Sequence, residues 1–115
     1  AVLADALVLP KMEFGALANP QTQEALAQTG RKQLLLVGME THICVLQTAL
    51  GAVEQGYTPY VVRDAVASRR RDQFKAGISR MQRHGVGVVT AEMVIFEWLR
   101  VAGTDDFRRV LPLVK

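Results

Sequence analysis

Residues 34–50 read LLLVGMETHICVLQTAL and decide how the chain folds. The four aliphatic residues at 34–37 are typical of a short buried strand, and the run stops at Gly38. After a polar turn, apolar side chains recur at helical spacing, at Val45, Leu46, Ala49, Leu50 and Val53. The segment therefore predicts a buried strand, a tight turn, and a helix that begins at Cys44.

Cys44 is the single cysteine of the chain. Amide N–H groups at a helix N-terminus are unpaired and lie at the positive end of the dipole, so they favour a thiolate. The same donors can hold an oxyanion. The alternative is that Cys44 is a small buried hydrophobic residue, as most free cysteines are. The chain would then be a non-catalytic α/β interaction or regulatory domain.

The strand followed by Gly38, Thr41, Cys44 and Val45 resembles the nucleophile turn of the isochorismatase-like cysteine hydrolases. That superfamily includes isochorismatase, nicotinamidase and N-carbamoylsarcosine amidohydrolase. The resemblance implies a Rossmann-like, three-layer α/β/α fold with a parallel sheet, and attack by Cys44 on an amide or related small-molecule substrate. It covers nearly all of this chain but only part of the superfamily's domain. We therefore expect residues 1–115 to be a single partial domain that lacks its N-terminal strands.

The resemblance also implies roles for residues around the cysteine. Lys11 matches the superfamily's catalytic lysine, which follows a strand and precedes a phenylalanine, here Phe14. An ammonium beside a cysteine favours the thiolate, although a lysine in a solvated loop is the ordinary alternative. The Met39–Glu40 peptide is implied to be cis. That geometry would turn the amide of Glu40 toward the amide of Cys44, and the two would form an oxyanion hole.

The third member of the superfamily's triad is an aspartate that follows the first strand. Asp5 is the only acid before Lys11, and it precedes the nearest predicted strand instead of following it. We therefore do not assign the role to Asp5 and expect the aspartate upstream of Ala1.

Three residues are candidates to line the pocket: Phe14, Thr41 and His42. A Cys–His dyad through His42 is disfavoured, because a dyad base normally comes from elsewhere in the fold. A hydrogen-bonding role at the pocket rim is favoured instead. The basic run at 69–71 could suit an anionic substrate if the helix start faces the pocket, but a solvated helix face is the favoured interpretation.

The rest of the chain alternates strands and helices, which indicates a parallel α/β sheet with its ligand site at the carboxyl ends of the strands. Strands are predicted at residues 6–9, 34–37, 60–62 and 86–89. Helix N-caps are predicted at Asn19, Ser68 and Thr90, and helix ends at Gly30, Gly85 and Gly103. Buried helical positions are expected at Phe74, Ile78, Met81, Met93, Val94, Phe96 and Leu99. A last short helix is predicted at 105–113.

The composition is that of an ordinary globular protein, with 50% hydrophobic and 22% charged residues and a net charge of +3. Neither a membrane-spanning run nor a strongly basic field is present, so neither a membrane nor a nucleic acid is expected as a partner. The resemblance implies a small-molecule substrate instead. One cysteine cannot form an internal disulfide, which favours a reducing cytoplasm. No metal or other cofactor is predicted, and the resemblance implies a homo-oligomer.

Overall fold

The computed structural model describes residues 3–114, which form three parallel strands and five helices. In chain order the elements are α1 (Pro20–Thr29), β1 (Gln33–Met39), α2 (Leu46–Glu54), β2 (Thr58–Ala67), α3 (Arg71–Arg83), β3 (Gly87–Val89), α4 (Ala91–Leu99) and α5 (Asp105–Val114). A 3-10 turn, Ala16–Ala18, precedes α1. A π-helical turn, Thr41–Val45, precedes α2 and is called the cysteine turn below. The predicted parallel α/β class is confirmed.

The strands lie in the order β1-β2-β3, with β2 in the centre. The register between β1 and β2 shifts between Leu36 and Gly38, where the backbone of Gly38 takes a φ of 114° that glycine tolerates best. Beyond this bulge, Met39 lies opposite Ala67. The two strands therefore end side by side, and the cysteine turn begins next to the loop that leaves β2.

Two apolar clusters lie on the two faces of β2. Val61 points to one face and packs with residues of α2, α3 and the cysteine turn, among them Ala49, Met81 and Val45. Val62 points to the other face and packs with Val89 and with Val94 of α4. Burial of one such side chain contributes about 1.5–3 kcal/mol, so β2 and its two layers hold the fold together.

The first strand is more exposed than its sequence predicts. Leu34 and Leu36 are half-buried, whereas Leu35 and Val37 have exposed fractions of 40% and 61%. The prediction of a buried strand at 34–37 is therefore wrong for the described part of the chain. Within residues 3–114, β1 pairs with β2 alone, so one of its edges and much of one face have nothing packed against them.

The predicted strand at 6–9 is absent: these residues have no regular secondary structure, and Leu7 and Val8 are exposed. A strand needs a neighbour that accepts and donates backbone hydrogen bonds, and none of the three described strands lies beside this segment. The apolar pattern alone was insufficient to define a strand here.

Several helix boundaries are confirmed. Asn19 accepts hydrogen bonds from the amides of Gln21 at 2.9 Å and Thr22 at 3.3 Å, and Thr90 accepts one from Met93 at 3.2 Å. Gly30 ends α1 in a left-handed conformation, with a φ of 68°. The capping chemistry of these side chains is local, which is why the sequence alone identified it.

Two other boundaries are wrong. The N-cap of α3 is Arg70, because the hydroxyl group of Ser68 is bonded to another element instead. Helix α4 ends at Leu99, four residues before Gly103, where Arg100 takes a φ of 63°.

The buried positions on the helices agree in part with those predicted from the sequence. On α3, Met81 is buried and Phe74 and Ile78 pack against the core, as predicted. On α4 the prediction holds for Val94, but Met93 and Phe96 are exposed, as is Val53 at the end of α2. Helix α4 packs on the sheet through one narrow side, so its remaining apolar residues stay outside the core. No helix of residues 3–114 is both long and apolar enough to cross a bilayer.

Candidate active site

Lys11 and Cys44 are brought together from 33 positions apart. The Nζ atom of Lys11 lies 3.7 Å from the Sγ atom of Cys44. Nζ also donates to the backbone carbonyl oxygens of Glu13 at 2.8 Å and Phe14 at 3.1 Å. These two carbonyls hold the ammonium group in place, so the contact with sulfur does not depend on a freely moving side chain.

The segment that carries the lysine, residues 11–14, is called the lysine loop. Its Glu13 carboxylate accepts from the side chain of Asn19 at 3.1 Å and from the amide of Met12 at 3.2 Å. Hydrogen bonds from its own backbone amide and from Asn19 lower the pKa of Glu13 below its usual range. Asn19 also caps α1. A single asparagine therefore joins the lysine loop to the start of a helix.

The lysine loop is also attached to α2, through the residues that directly follow it. The amide of Ala16 donates to the Oγ1 atom of Thr48 at 2.9 Å. Thr48 belongs to α2, the helix that continues the cysteine turn. Gly15 lies so close to this helix that an added Cβ atom would meet the backbone carbon of Gln47 at 3.2 Å. The lysine loop is thus packed on the same helix that positions Cys44.

The cysteine turn begins after a cis peptide bond between Met39 and Glu40. The carbonyl oxygen of Glu40 accepts from the amides of Ile43 at 3.1 Å and Val45 at 3.2 Å, which closes the turn. Cys44 itself is half-buried. It is therefore the fourth residue of a π-helical turn, and α2 proper begins two residues later, at Leu46. The expectation that a helix begins at Cys44 is corrected accordingly.

The loop that leaves β2 is bonded to the cysteine turn at two points. The Nδ1 atom of His42 and the Oγ atom of Ser68 form a hydrogen bond of 2.8 Å. The carboxylate of Glu40 accepts from the amide of Arg69 at 2.9 Å and lies 3.6 Å from the Nε atom of the same residue. Neither contact was predicted from the sequence. The only signal for them was that polar residues follow two strands that end side by side.

The three pocket candidates occupy different settings. Phe14 is exposed, and its carbonyl oxygen holds Lys11. Thr41 is 0% exposed, and its Oγ1 atom has no hydrogen-bond partner among residues 3–114. His42 is half-buried with one ring nitrogen engaged by Ser68. The structure therefore brings Lys11 to Cys44 and places Glu40 and His42 in contact with the neighbouring loop.

Within the described part of the chain, no three His, Cys, Asp or Glu side chains are grouped so that they could hold a metal ion. The groups that can act chemically here are one thiol, one ammonium and the backbone amides of the cysteine turn. A thiol beside a cation at the start of a helix is the arrangement that activates a cysteine as a nucleophile. The setting at the carboxyl end of a parallel sheet is also where α/β proteins bind small molecules.

This fold and this site define a class of α/β proteins with a cysteine turn at the end of a parallel strand. The family model for the isochorismatase domain matches residues 1–93, and the chain belongs to that family. The secreted isochorismatase effector Isc1 of Phytophthora sojae is 35% identical over 113 residues, which are 96% of this chain and 53% of that protein. The first curated relatives are matched over 53%, 41% and 54% of their lengths, so the chain spans about half of each.

Solved structures show the same fold. A MAR1 ribonuclease from Caenorhabditis elegans has a TM-score of 0.80 and 31% identity, over 90% of this chain and 53% of that one. The YcaC gene product of Escherichia coli, described as an octameric hydrolase of unknown specificity, has a TM-score of 0.75 and 25% identity, over 91% and 58%. A nicotinamidase from Bacillus subtilis has a TM-score of 0.65 and 29% identity, over 69% and 44%. The expected superfamily and its α/β fold are therefore confirmed.

Proposed function

We propose that the protein is a hydrolase in which Cys44 attacks an amide or a related carbon centre of a small molecule. The observation that carries this proposal is the 3.7 Å contact between the Lys11 ammonium and the Cys44 sulfur. Two carbonyl oxygens fix that ammonium, and the cysteine lies in the turn that leads into α2. Membership in a family of hydrolases supports the reaction class, and the similarity to a nicotinamidase supports an amide.

The proposed reaction has two steps. The thiolate sulfur adds to the carbonyl carbon, the C–N bond breaks, and the amine leaves with a proton. Water then attacks the resulting thioester, which releases the acid and restores the thiol. We assign the backbone amides of Glu40 and Cys44 as donors to the oxyanion that forms in each step. Donors fixed by the fold need not reorganise during the reaction, which is why such sites are effective.

A proton must also be moved between the thiol, the leaving amine and the attacking water. No carboxylate among residues 3–114 is hydrogen-bonded to Lys11 or to Cys44. Asp5 lies in an exposed turn before the lysine loop. The proposal therefore places the acid–base aspartate, which the family resemblance implies, outside the described residues.

The alternative is a non-catalytic interaction or regulatory domain with a structural cysteine. A structural cysteine is usually surrounded by apolar side chains. Cys44 instead has an ammonium group as a neighbour and is only half-buried, which favours the enzyme.

Alkylation of Cys44 distinguishes the two interpretations. With iodoacetamide at pH 7, the folded protein should react faster than free cysteine. Lys11→Met should slow this reaction about threefold, since an exposed ion pair contributes modestly. Lys32→Met is the matched control, because it also removes one ammonium group, but one that contacts the ring of Tyr57 instead of Cys44. A thiol that reacts only after denaturation would contradict the enzymatic proposal, and equal rates in both variants would leave Lys11 without a role.

The remaining features of the proposal concern partners and location. A homo-oligomer is supported by the similar octameric hydrolase, and a small molecule is the proposed substrate. A cytoplasmic location remains our proposal from the single cysteine, although one similar protein is described as secreted. Size-exclusion chromatography with light scattering measures the oligomeric state directly.

A further inference from the structure

A basic cleft lies where β2 ends and α3 begins. Three arginines line it, Arg63, Arg69 and Arg71, together with Ser68 and the ring of Phe74. We call this group of residues the arginine cleft. Guanidinium groups remain protonated at all ordinary pH values, so the cleft concentrates three positive charges in one concave surface.

Most of that charge is not compensated by the protein. Arg70, which does not line the cleft, pairs with Asp72 at 2.9 Å. Arg69 lies 3.6 Å from the Glu40 carboxylate. No carboxylate of residues 3–114 comes within 4.0 Å of the guanidinium of Arg63 or Arg71. The guanidinium of Arg71 lies over the ring of Phe74, 5.8 Å from its centroid, and has no carboxylate partner there. A guanidinium fork can bind a carboxylate or phosphate group through two parallel hydrogen bonds.

The arginine cleft adjoins the cysteine turn. Ser68, which lines the cleft, is hydrogen-bonded to His42, and His42 precedes Cys44 by two positions. Arg69, which also lines it, is bonded through its amide to Glu40, one of the proposed oxyanion donors. The register that sets Met39 opposite Ala67 brings the two strand ends together. The cleft and the segment that carries the thiol are therefore joined by two hydrogen bonds.

We propose that the arginine cleft binds an anionic group, a carboxylate or a phosphate, carried by the small-molecule substrate on which Cys44 acts. This inference rests on the proposed function and specifies its substrate class. The forks of Arg63 and Arg71 bind the oxyanion, and Ser68, which lines the same cleft, is hydrogen-bonded to His42 of the cysteine turn. Arg69 is held by Glu40 and acts as a positioning residue between the cleft and the cysteine turn.

A pair of alkylating reagents tests the inference. Iodoacetate carries a carboxylate and iodoacetamide does not, so the ratio of their rates with Cys44 reports the anion preference of the site. The double variant Arg63→Gln/Arg71→Gln should lower this ratio at least about threefold, because the charge that attracts the anion is removed. Arg80→Gln/Arg83→Gln is the control, since it also removes two charges, from the helix that carries Arg71 but outside the cleft.

Inorganic phosphate provides an independent measurement. Phosphate should slow the reaction of Cys44 with iodoacetate more than its reaction with iodoacetamide. It should also shift the Nε–H NMR signals of the arginines in the wild type but not in the Arg63/Arg71 double variant. The inference would be overturned if the rate ratio fell equally in both double variants, or if it fell in neither of them. Tighter binding of a short single-stranded RNA than of phosphate, with a steep salt dependence, would also overturn it.

The proposed function can fail separately. If Cys44 reacts with neither reagent in the folded protein, the enzymatic proposal is wrong, and with it the assignment of the cleft to a substrate. If Cys44 reacts rapidly with both reagents, but the rate ratio and the phosphate-induced NMR shifts are the same in wild type and in the Arg63/Arg71 double variant, the enzymatic proposal is retained. The anionic substrate class is then wrong.

Discussion

Strands β1 and β2 have similar apolar sequences but opposite environments. Val61 of β2 is 0% exposed, whereas Leu35, its near neighbour across the pair in β1, is 40% exposed. Strand β2 is covered by helices on both faces and paired on both edges. Strand β1 leads directly into the cysteine turn. The strand that leads to the proposed chemistry is thus the less buried one, and the strand that provides the core carries the arginine cleft at its end.

This contrast shows that burial is a property of neighbours, not of the side chain. An aliphatic residue is stabilised only by the apolar surface that packs on it. The parts of a fold with few packed neighbours also open most easily, which is where binding and catalysis are usually found. We therefore expect changes on the β2 side to alter mainly the free energy of unfolding, and changes on the β1 side to alter mainly the reactivity of Cys44.

The largest effect is expected from a charge in the core. Val61→Asp should lower the free energy of unfolding by more than about 4 kcal/mol, because it buries a carboxylate without a partner. Leu35→Asp should change it by less than about 1 kcal/mol, since that side chain is partly in water. Urea denaturation followed by circular dichroism measures both.

A milder pair keeps this comparison measurable if Val61→Asp does not fold. Val61→Ala should cost about 2 kcal/mol and Leu35→Ala clearly less. Equal losses for the two strands would show that β1 is as well packed in solution as β2, and the contrast between them would be wrong.

A smaller effect is expected at the contact between the two sides. Gly77 of α3 lies against the cysteine turn, and an added Cβ atom would meet the Cα atom of His42 at 3.0 Å. Gly77→Ala should therefore cost about 1–2 kcal/mol through overpacking, despite the better helix propensity of alanine. It should also change the alkylation rate of Cys44, because His42 must move.

Gly51→Ala is the matched control for that variant. In α2, the added Cβ atom would meet the Cβ atom of Leu17 at 3.5 Å, an ordinary contact. The change should stabilise the protein by up to about 1 kcal/mol. If both glycines tolerate alanine equally, α3 does not press on the cysteine turn.

Local chemistry explains which parts of the fold were predictable. Asn19, Gly30 and Thr90 act on amides within a few residues, so their caps could be read directly from the sequence. The exposure of β1 and the absence of a strand at 6–9 depend on which elements lie alongside, and no local pattern records that. Ser68 is a residue type that often caps helix N-termini, but its hydroxyl group is bonded to His42 instead.

The candidate site also has a part that was predictable from the sequence and a part that was not. The proximity of Lys11 to Cys44 followed from a family motif and from two apolar runs that were both expected to end at the site. The contacts of Ser68 and Arg69 with the cysteine turn depend on the register between β1 and β2, including its bulge. The irregularity changes the pairing from Leu36 opposite Val61 to Gly38 opposite Val66, and the sequence does not show where such a shift occurs.

The smallest effect concerns the pH dependence of the lysine loop, on the β1 side. The folded-state pKa of Glu13 is lowered by hydrogen bonds from its own amide and from Asn19. Its carboxylate therefore stabilises the fold above its ordinary pKa, about 4.3, and this contribution is lost as the pH falls through the lowered value. Glu13→Gln should lower the thermal midpoint slightly at pH 6, and the difference from wild type should shrink as the pH falls from the ordinary pKa through the lowered one. Glu24→Gln is the matched control, because it removes an exposed carboxylate of α1 that lies outside the lysine loop. A constant difference between wild type and Glu13→Gln across this range would mean that the ionised carboxylate does not hold the lysine loop.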